Sequence, residues 1–427
     1  MGGRVYACID MKTFYASVEC AERRLNPFET DLVVADPSRG KNALCLAVSP
    51  HLKQQGVKNR CRLSDIPAHI RYRIAPPRMQ LYIHYAARIY DMYLEFFSKD
   101  DIYVYSIDES FIDLTDYLRV YRTDAETLAA GLIRQISERF LIPAAAGVGT
   151  NLFLAKVALD LLAKHDRSHV AYLDENVFQQ KLGSHRPITD FWQIAAGTAA
   201  RLARHGVYDM NGVRSLPVDV LFRVFGKDAE LLLDHASGRE SCRIEDIRNY
   251  RPTRQSVSFS QILPKNYSSA DARLIVSEMA VYGAEELMRR QLIAKKINLY
   301  IGFAIGTQSP QKGSVRMPFA TQVGSLILEH AQALYDRLDT SNGNIRQIGI
   351  SFEDVCAQGC EGYDIFTDFE RIERERALQR TAVDIHDRFG KNSLLRGFNL
   401  APGAMQRERN LLIGGHKADG AKSDGTG

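Results

Sequence analysis

Asp10 closes an apolar stretch, residues 4–10 (Arg-Val-Tyr-Ala-Cys-Ile-Asp), that reads as a short buried strand. Nearly a hundred positions later, Asp108 and Glu109 stand between two β-rich arms within 101–114. A hairpin with these carboxylates at its bend is the natural expectation. Taken singly, an acid at a strand end is usually a surface residue. If strand and hairpin are neighbours in one sheet, however, three carboxylates converge. Like charges so close repel strongly unless divalent cations neutralise them. Oxygen ligands of this kind suit Mg²⁺, which keeps waters and shares phosphate oxygens with its substrate. Two such ions can activate one oxygen and stabilise the leaving one in an in-line displacement. Asp10 would bridge both ions, with the Met11 carbonyl as a further ligand. Asp108 would complete the shared cage, and Glu109 would serve the ion that activates the attacking hydroxyl.

The elements that must position these acids follow from periodicity. Residues 13–25 read as a helix (Phe14, Val18, Ala21, Leu25), with strands at 32–35 and 43–48 across a turn cluster at 36–41. An amphipathic helix is expected over 79–98, the hairpin over 101–114, a helix over 125–140, a strand at 143–149 and a helix from about 151 to 164. This order suggests one α+β domain with an insertion. The insertion is basic: residues 23–73 hold ten Lys or Arg against four Asp or Glu. It is either a solvated surface or a face for phosphates. Residues 186–235 read as short helices with Gly turns, and 239–256 as a basic linker. A second α+β unit follows, with strands at 255–262, 297–305, 313–319 and 345–352 and helices at 269–293 and 322–338. Past 356 the chain is charged and partly helical. Its Gly-rich end from 414 reads as disordered.

Composition sets the outer limits. The chain has 427 residues, 45% of them hydrophobic, enough for several packed cores and too many for a wholly disordered chain. A net charge of +4 does not by itself mark a nucleic-acid binder. Seven scattered cysteines argue against a disulfide framework; only Cys356 and Cys360 are close, without the two further ligands a zinc site needs. No stretch reaches the length of a transmembrane helix and no signal-peptide layout is present, so a soluble cytoplasmic protein is expected.

Asp10-Met-Lys-Thr-Phe-Tyr-Ala-Ser-Val-Glu19 together with Tyr105-Ser-Ile-Asp-Glu-Ser-Phe-Ile-Asp113 resembles the two catalytic motifs of Y-family DNA polymerases. Gly147-Val-Gly-Thr-Asn-Leu-Phe-Leu-Ala-Lys-Val-Ala158 is similar to the family's third segment. The resemblance extends to about residue 412. Short fingers and Gly390-Lys-Asn-Ser-Leu-Leu-Arg-Gly397 look most like the UmuC-like branch found in Gram-positive bacteria. It implies an α+β, multidomain right-hand polymerase. The ferredoxin-like palm would be 1–25 and 75–165, the small fingers 26–74 and the helical thumb 166–238. A linker at 239–252, an α/β little-finger domain at 253–355 and a C-terminal tail at 356–427 would complete it. The implied activity is templated transfer of a dNTP to a primer–template DNA with two Mg²⁺ ions, across damaged bases, by a monomer.

The resemblance also assigns residues around the nucleotide. Tyr15 matches the steric gate that excludes a 2′-hydroxyl, and Phe14 is either its companion or core. Ser49-Pro-His-Leu-Lys53 matches the triphosphate-binding stretch, Lys53 meeting the phosphates and Ser49 donating a hydroxyl. Many members carry Tyr and Arg where this chain has Pro50 and Lys53, and Lys is a point charge rather than a bidentate fork. Lys156 and Lys164 share one helix, eight residues apart, one more than in some relatives; Lys164 is the expected triphosphate ligand.

For DNA, residues 194–213 resemble a helix-hairpin-helix, with Gly197 in the hairpin and Gly206 ending the second helix; a plain αα-hairpin is the alternative. Arg254, Ser256, Ser258 and Ser260 alternate along one strand and would face the DNA backbone. Ile365 and Phe366 could plug into a sliding clamp, although the usual Gln is missing. Two rivals stay open. A two-metal nucleotide cyclase also places acids on a β-α-β-β sheet, and a non-catalytic DNA-binding protein could keep a relic palm.

Overall fold

The computed structural model describes residues 3–252, 255–363 and 367–419. The chain divides into two compact units, Met1–Tyr250 with His416–Gly427, and Arg251–Gly415.

The first unit is organised by a five-stranded sheet in the order β5-β6-β1-β7-β8. Its strands are β1 (Tyr6–Met11), β5 (Ile102–Val104), β6 (Glu109–Asp113), β7 (Ala144–Gly149) and β8 (Val170–Leu173). β1 is central and pairs antiparallel with both β6 and β7. Being central explains its almost unbroken burial, as alternation is lost when both faces are covered. The helices of this part are α1 (Phe14–Glu22), α3 (Met79–Leu94), α4 (Tyr117–Tyr121), α5 (Ala125–Phe140) and α6 (Leu152–Val157), of which α5 and α6 pack on β1 and β7. Between α1 and α3 a small sheet, β3-β2-β4, is built from β2 (Leu32–Val34), β3 (Ala47–Val48) and β4 (Arg73–Ala75), with the short helix α2 (Pro50–Gln54) after β3. It has its own core of Val33, Cys45, Val48, Leu52 and Ile66.

Helices α7 (Glu175–Leu182), α8 (Ala196–Ala203), α9 (Met210–Ser215), α10 (Val218–Phe225) and α11 (Asp228–Ala236) bury Phe178, Phe191, Leu202 and Leu221 together. The stretch expected to be a linker carries α12 (Ile244–Asn249). Ile244 is buried there with Tyr6 and Phe111, so this stretch is packed rather than loose.

In the second unit, β9 (Val257–Tyr267), β10 (Leu292–Phe303), β11 (Gln311–Thr321) and β12 (Ile345–Ala357) form an antiparallel sheet in the order β11-β10-β12-β9. Helices α13 (Ser269–Arg289) and α14 (Gly324–Tyr335) cover one face through Ile275, Leu287, Ile297 and Ile350. The charged stretch past 356 is ordered where described. Helix α15 (Phe369–Phe389) buries Ile372, Arg376, Gln379 and Val383 along one stripe. Gln379 donates to the carbonyls of Ala284 and Gln322, and Glu278 accepts from the backbone N–H groups of Met405 and Gln406. Among the described residues no helix is long and apolar enough to cross a membrane, and all seven cysteines are free thiols.

Candidate active site

In the β1–β6 ladder Asp10 stands directly opposite Glu109. Directly opposed residues of an antiparallel pair point to the same face, with Cα atoms about 5 Å apart. The bend is closed by the N–H groups of Tyr105 and Ser106, both donating to the Glu109 carbonyl at 3.0 Å, and the Met11 N–H donates to the Asp108 carbonyl at 2.9 Å. The backbone therefore gathers Asp10, Met11, Asp108 and Glu109 where the neighbouring inner strands β1 and β6 end.

Each acid has partners. The Ser106 hydroxyl donates to Asp108 Oδ1 at 2.7 Å. Glu109 is almost buried; its Oε1 accepts from Cys8 Sγ at 3.0 Å and from Lys156 Nζ at 2.6 Å. Lys156 also meets Asp160 Oδ2 at 3.0 Å. Lys164 Nζ lies 2.8 Å from Asp160 Oδ1 and 3.3 Å from Asp10 Oδ2. The result is an alternating row: Glu109, Lys156, Asp160, Lys164, Asp10. Burial pushes Asp10 up to about 6; Lys164 opposes this, and the charges of Asp108 and Glu109 add to it. Burial pulls Lys156 down, but Cys8, Glu109 and Asp160 outweigh it and hold the ammonium raised.

Among the described residues no three His, Cys, Asp or Glu side chains already converge as a metal cluster. Ser106 bonds Asp108, while Cys8 and Lys156 bond Glu109. The donor set itself fits a hard divalent cation. It is all oxygen, and Asp10 has a raised proton affinity that a cation would relieve.

Above the acids, the Tyr15 ring stacks on Tyr82 with centroids 4.6 Å apart. Burial raises its phenol and the Asp108 charge raises it further. Tyr82 is fixed from behind: its hydroxyl donates at 2.7 Å to Glu19, a fully buried carboxylate that also takes two bonds from Arg78. Thr13, before α1, has φ of 49°, an uncommon backbone for a β-branched residue. The turn lets the chain leave β1 and enter α1 with Tyr15 on the site side.

Two expected nucleotide contacts are turned elsewhere. Phe14 is only 2% exposed, so its ring is core. Ser49 is fully buried; it caps α2, accepting from Leu52 N–H and donating to the Thr30 carbonyl at 2.6 Å. Its hydroxyl is spent on the fold. Lys53, one turn along α2, is exposed and senses both Asp10 and Lys164; desolvation lowers it, Asp10 partly restores it, and Lys164 lowers it further.

The impB/mucB/samB family matches residues 9–160, and its C-terminal domain matches residues 254–364, together more than half of the chain. The chain belongs to this family, that of the Y-family translesion polymerases. It is 28% identical over 421 residues to the putative UV-damage repair protein UvrX of Bacillus subtilis (strain 168), covering 96% of this chain and 97% of that one. It is 25% identical over 423 residues to DNA polymerase IV 2 of the same organism, covering 97% and 99%. A Y-family DNA polymerase chimera of Dbh and Dpo4 shares the fold, with a TM-score of 0.64 at 19% identity over 83% of this chain and 100% of that one. Neither the cyclase nor the relic-palm alternative is favoured by these matches.

Members of the impB/mucB/samB family are nucleotidyltransferases that generally need divalent metals, and the remaining expected residues concern their DNA. Gly197 is in the first turn of α8, not in a hairpin before it, because α8 starts at Ala196. Gly206 follows α8 with φ of 74° and closes its C-terminus. Ser256 and Ser258 are exposed and alternate with Val257, which is buried. Ser258, Ser260, Asn298, Tyr300, Lys312 and Ser351 line the open face of the second unit's sheet. Arg254, Ile365 and Phe366 lie outside the described residues. Lys156 as partner of Glu109, Cys8 and Asp160 were not expected from the sequence. For Asp160 a signal was present: it sits four residues from each lysine, the spacing of helical ion pairs.

Proposed function

We propose that this chain is a template-directed DNA polymerase of the translesion type, transferring a nucleotide from a dNTP to a primer 3′-hydroxyl during DNA damage tolerance. The observation that carries this reading is the pairing of Asp10 with Glu109, with Asp108 one residue away and its carbonyl bound by Met11 N–H. Asp10, Asp108, Glu109 and the Met11 carbonyl would hold two Mg²⁺ ions. When bound, the ions lower the pKa of the attacking hydroxyl and neutralise charge on the phosphates.

The chain's own residues supply the rest. Lys53 and Lys164 both lie near Asp10 and meet the triphosphate as point charges. Tyr15, backed by Tyr82, offers a flat ring against the sugar. Gly206, with the turn it closes after α8, and the sheet face carrying Ser256 and Ser258 bind DNA phosphates without reading sequence. Arg254, outside the described residues, is proposed to contact DNA phosphates as well. The protein acts as a cytoplasmic monomer, and Ile365 and Phe366 dock on a sliding clamp. A pulldown in which Phe366→Ala keeps full clamp binding would remove that contact.

The test of the main reading is primer extension past a defined lesion, with and without Mg²⁺, by wild type and Glu109→Ala. Mg²⁺-dependent extension lost in the variant is expected. A cyclic nucleotide product, or DNA binding with no product, would overturn it.

A further inference from the structure

We propose that Asp160 is a positioning residue: it draws the Lys164 ammonium away from Asp10, keeping that carboxylate open to a cation and the lysine open to the triphosphate. This inference rests on the polymerase reading above.

The lysines differ in their surroundings. Lys156 is 8% exposed and gripped by two acids, Glu109 at 2.6 Å and Asp160 at 3.0 Å. It is a fixed counter-charge. Lys164 is 31% exposed and shared between Asp160 at 2.8 Å and Asp10 at 3.3 Å. It has freedom to move, and two acids compete for it. Asp160 is the nearer competitor and the only side chain that touches both lysines among the described ion pairs.

The helix is built to keep this register. In a straight α-helix, residues eight apart are about 80° out of line around the axis, while residues seven apart are within about 20°. Here α6 passes at Ala158–Ala163 into a π-helical turn, where Lys164 N–H donates to the carbonyl of Leu159, five residues back. The wider turn absorbs one residue. Lys156 and Lys164 return to nearly the same face despite the extra residue, with Asp160 between them.

Without Asp160 the nearest acid to Lys164 is Asp10. The ammonium would settle there as a built-in cation competing with the metal. Removing Asp160 should therefore weaken metal binding through Lys164, not simply by deleting a negative charge. The double-mutant cycle separates these. Mn²⁺ binding to the full chain without nucleotide, read by electron paramagnetic resonance, is measured for wild type, Asp160→Asn, Lys164→Gln and the double variant. Asp160→Asn is expected to weaken Mn²⁺ about fivefold, and Lys164→Gln in that background to recover most of the loss while changing wild type much less. Asp160→Glu should bind Mn²⁺ as wild type does. In primer extension, Asp160→Asn should raise the KM for dNTP more than it lowers kcat.

Additive effects in the cycle, or unchanged Mn²⁺ affinity in Asp160→Asn with an unaltered melting temperature, would overturn the role of Asp160 and leave the polymerase reading intact. A wild-type protein that binds no Mn²⁺ would overturn both. Asp160→Ser gives a second route to the same comparison should Asp160→Asn fail to fold.

Discussion

Asp10 and Glu109 are cross-strand partners on β1 and β6, and the Asp10 carboxyl is held at about 6, above the usual carboxylate range. Burial is the main cause, Lys164 offsets part of it, and Asp108 and Glu109 reinforce it. The sheet thus stores electrostatic strain where a cation is wanted. A raised folded-state pKa means that the folded protein holds the proton more tightly than the unfolded chain. The penalty is absent below the unfolded pKa, grows between about pH 4 and 6, and is complete above that window. In chelator, Asp10→Asn should therefore melt higher than wild type at pH 8, by an amount worth at most about 3 kcal/mol, and no higher at pH 4. Adding Mg²⁺ at pH 8 should raise wild type but not the variant. Equal melting temperatures at both pH values would show that the carboxylate is not under strain.

Tyr15 is held by a chain of contacts: it stacks on Tyr82, whose hydroxyl is tied to the buried Glu19. A sugar-discriminating ring must be rigid, because a 2′-hydroxyl is a small group to exclude. Tyr15→Ala should raise ribonucleotide incorporation at least about tenfold, a change of about 1.4 kcal/mol in discrimination. Tyr82→Ala should raise it less, since the ring remains but its backing is lost. Primer extension with mixed nucleotides reads both, and unchanged sugar selectivity in Tyr15→Ala would refute the gate.

How much of this was legible in the sequence varies with its physical basis. The acids were legible because a strand end and a hairpin bend are local patterns, and β1 and β6 needed only to pair. Ser49 was expected at the nucleotide and Phe14 was left open between nucleotide and core, because their types suit a nucleotide site, whereas their burial depends on long-range packing. Strands β4 and β8 went unread; they are three and four residues long and only partly buried, so neither shows a pattern of its own. The stripe on α15 was hidden because two of its four buried residues, Arg376 and Gln379, are polar. They are buried because they find partners: Glu361 for Arg376, and the backbone of Ala284, Gln322 and Gly324 for Gln379. Lys156 read as one of two helix lysines, since nothing local says that its partner is Glu109 on another strand.

Gly147 lies on β7 against the helix that carries Lys156. A Cβ there would strike the backbone of Leu159 and Ala155, atoms that cannot rotate away. Gly147→Ala should force α6 off the sheet and destabilise the protein by about 3 kcal/mol. Activity should fall as well, because Lys156 and Lys164 move with their helix. Denaturant unfolding of the variant measures the first effect. A loss under about 1 kcal/mol would mean that the helix can retreat without cost.

The open face of the second unit's sheet carries polar side chains on all four strands, with Ile262 exposed among them, yet its charge is concentrated in few side chains. Lys312 lies on the edge strand β11, directly across from Tyr300, with its ammonium 5.7 Å from the centre of that ring. Stacking against the ring restrains the side chain and keeps the ammonium at the sheet surface. Ser258, Ser260 and Ser351 can donate hydrogen bonds to phosphates but release no counterions. The salt dependence of DNA binding should therefore respond to Lys312 and barely to the serines. Lys312→Gln should lower the slope of log affinity against log salt by about one. Ser258→Ala should weaken binding with the slope unchanged. Fluorescence anisotropy on duplex DNA over a salt series distinguishes the two. If Lys312→Gln leaves the slope as in wild type, the sheet face is not where the phosphates lie.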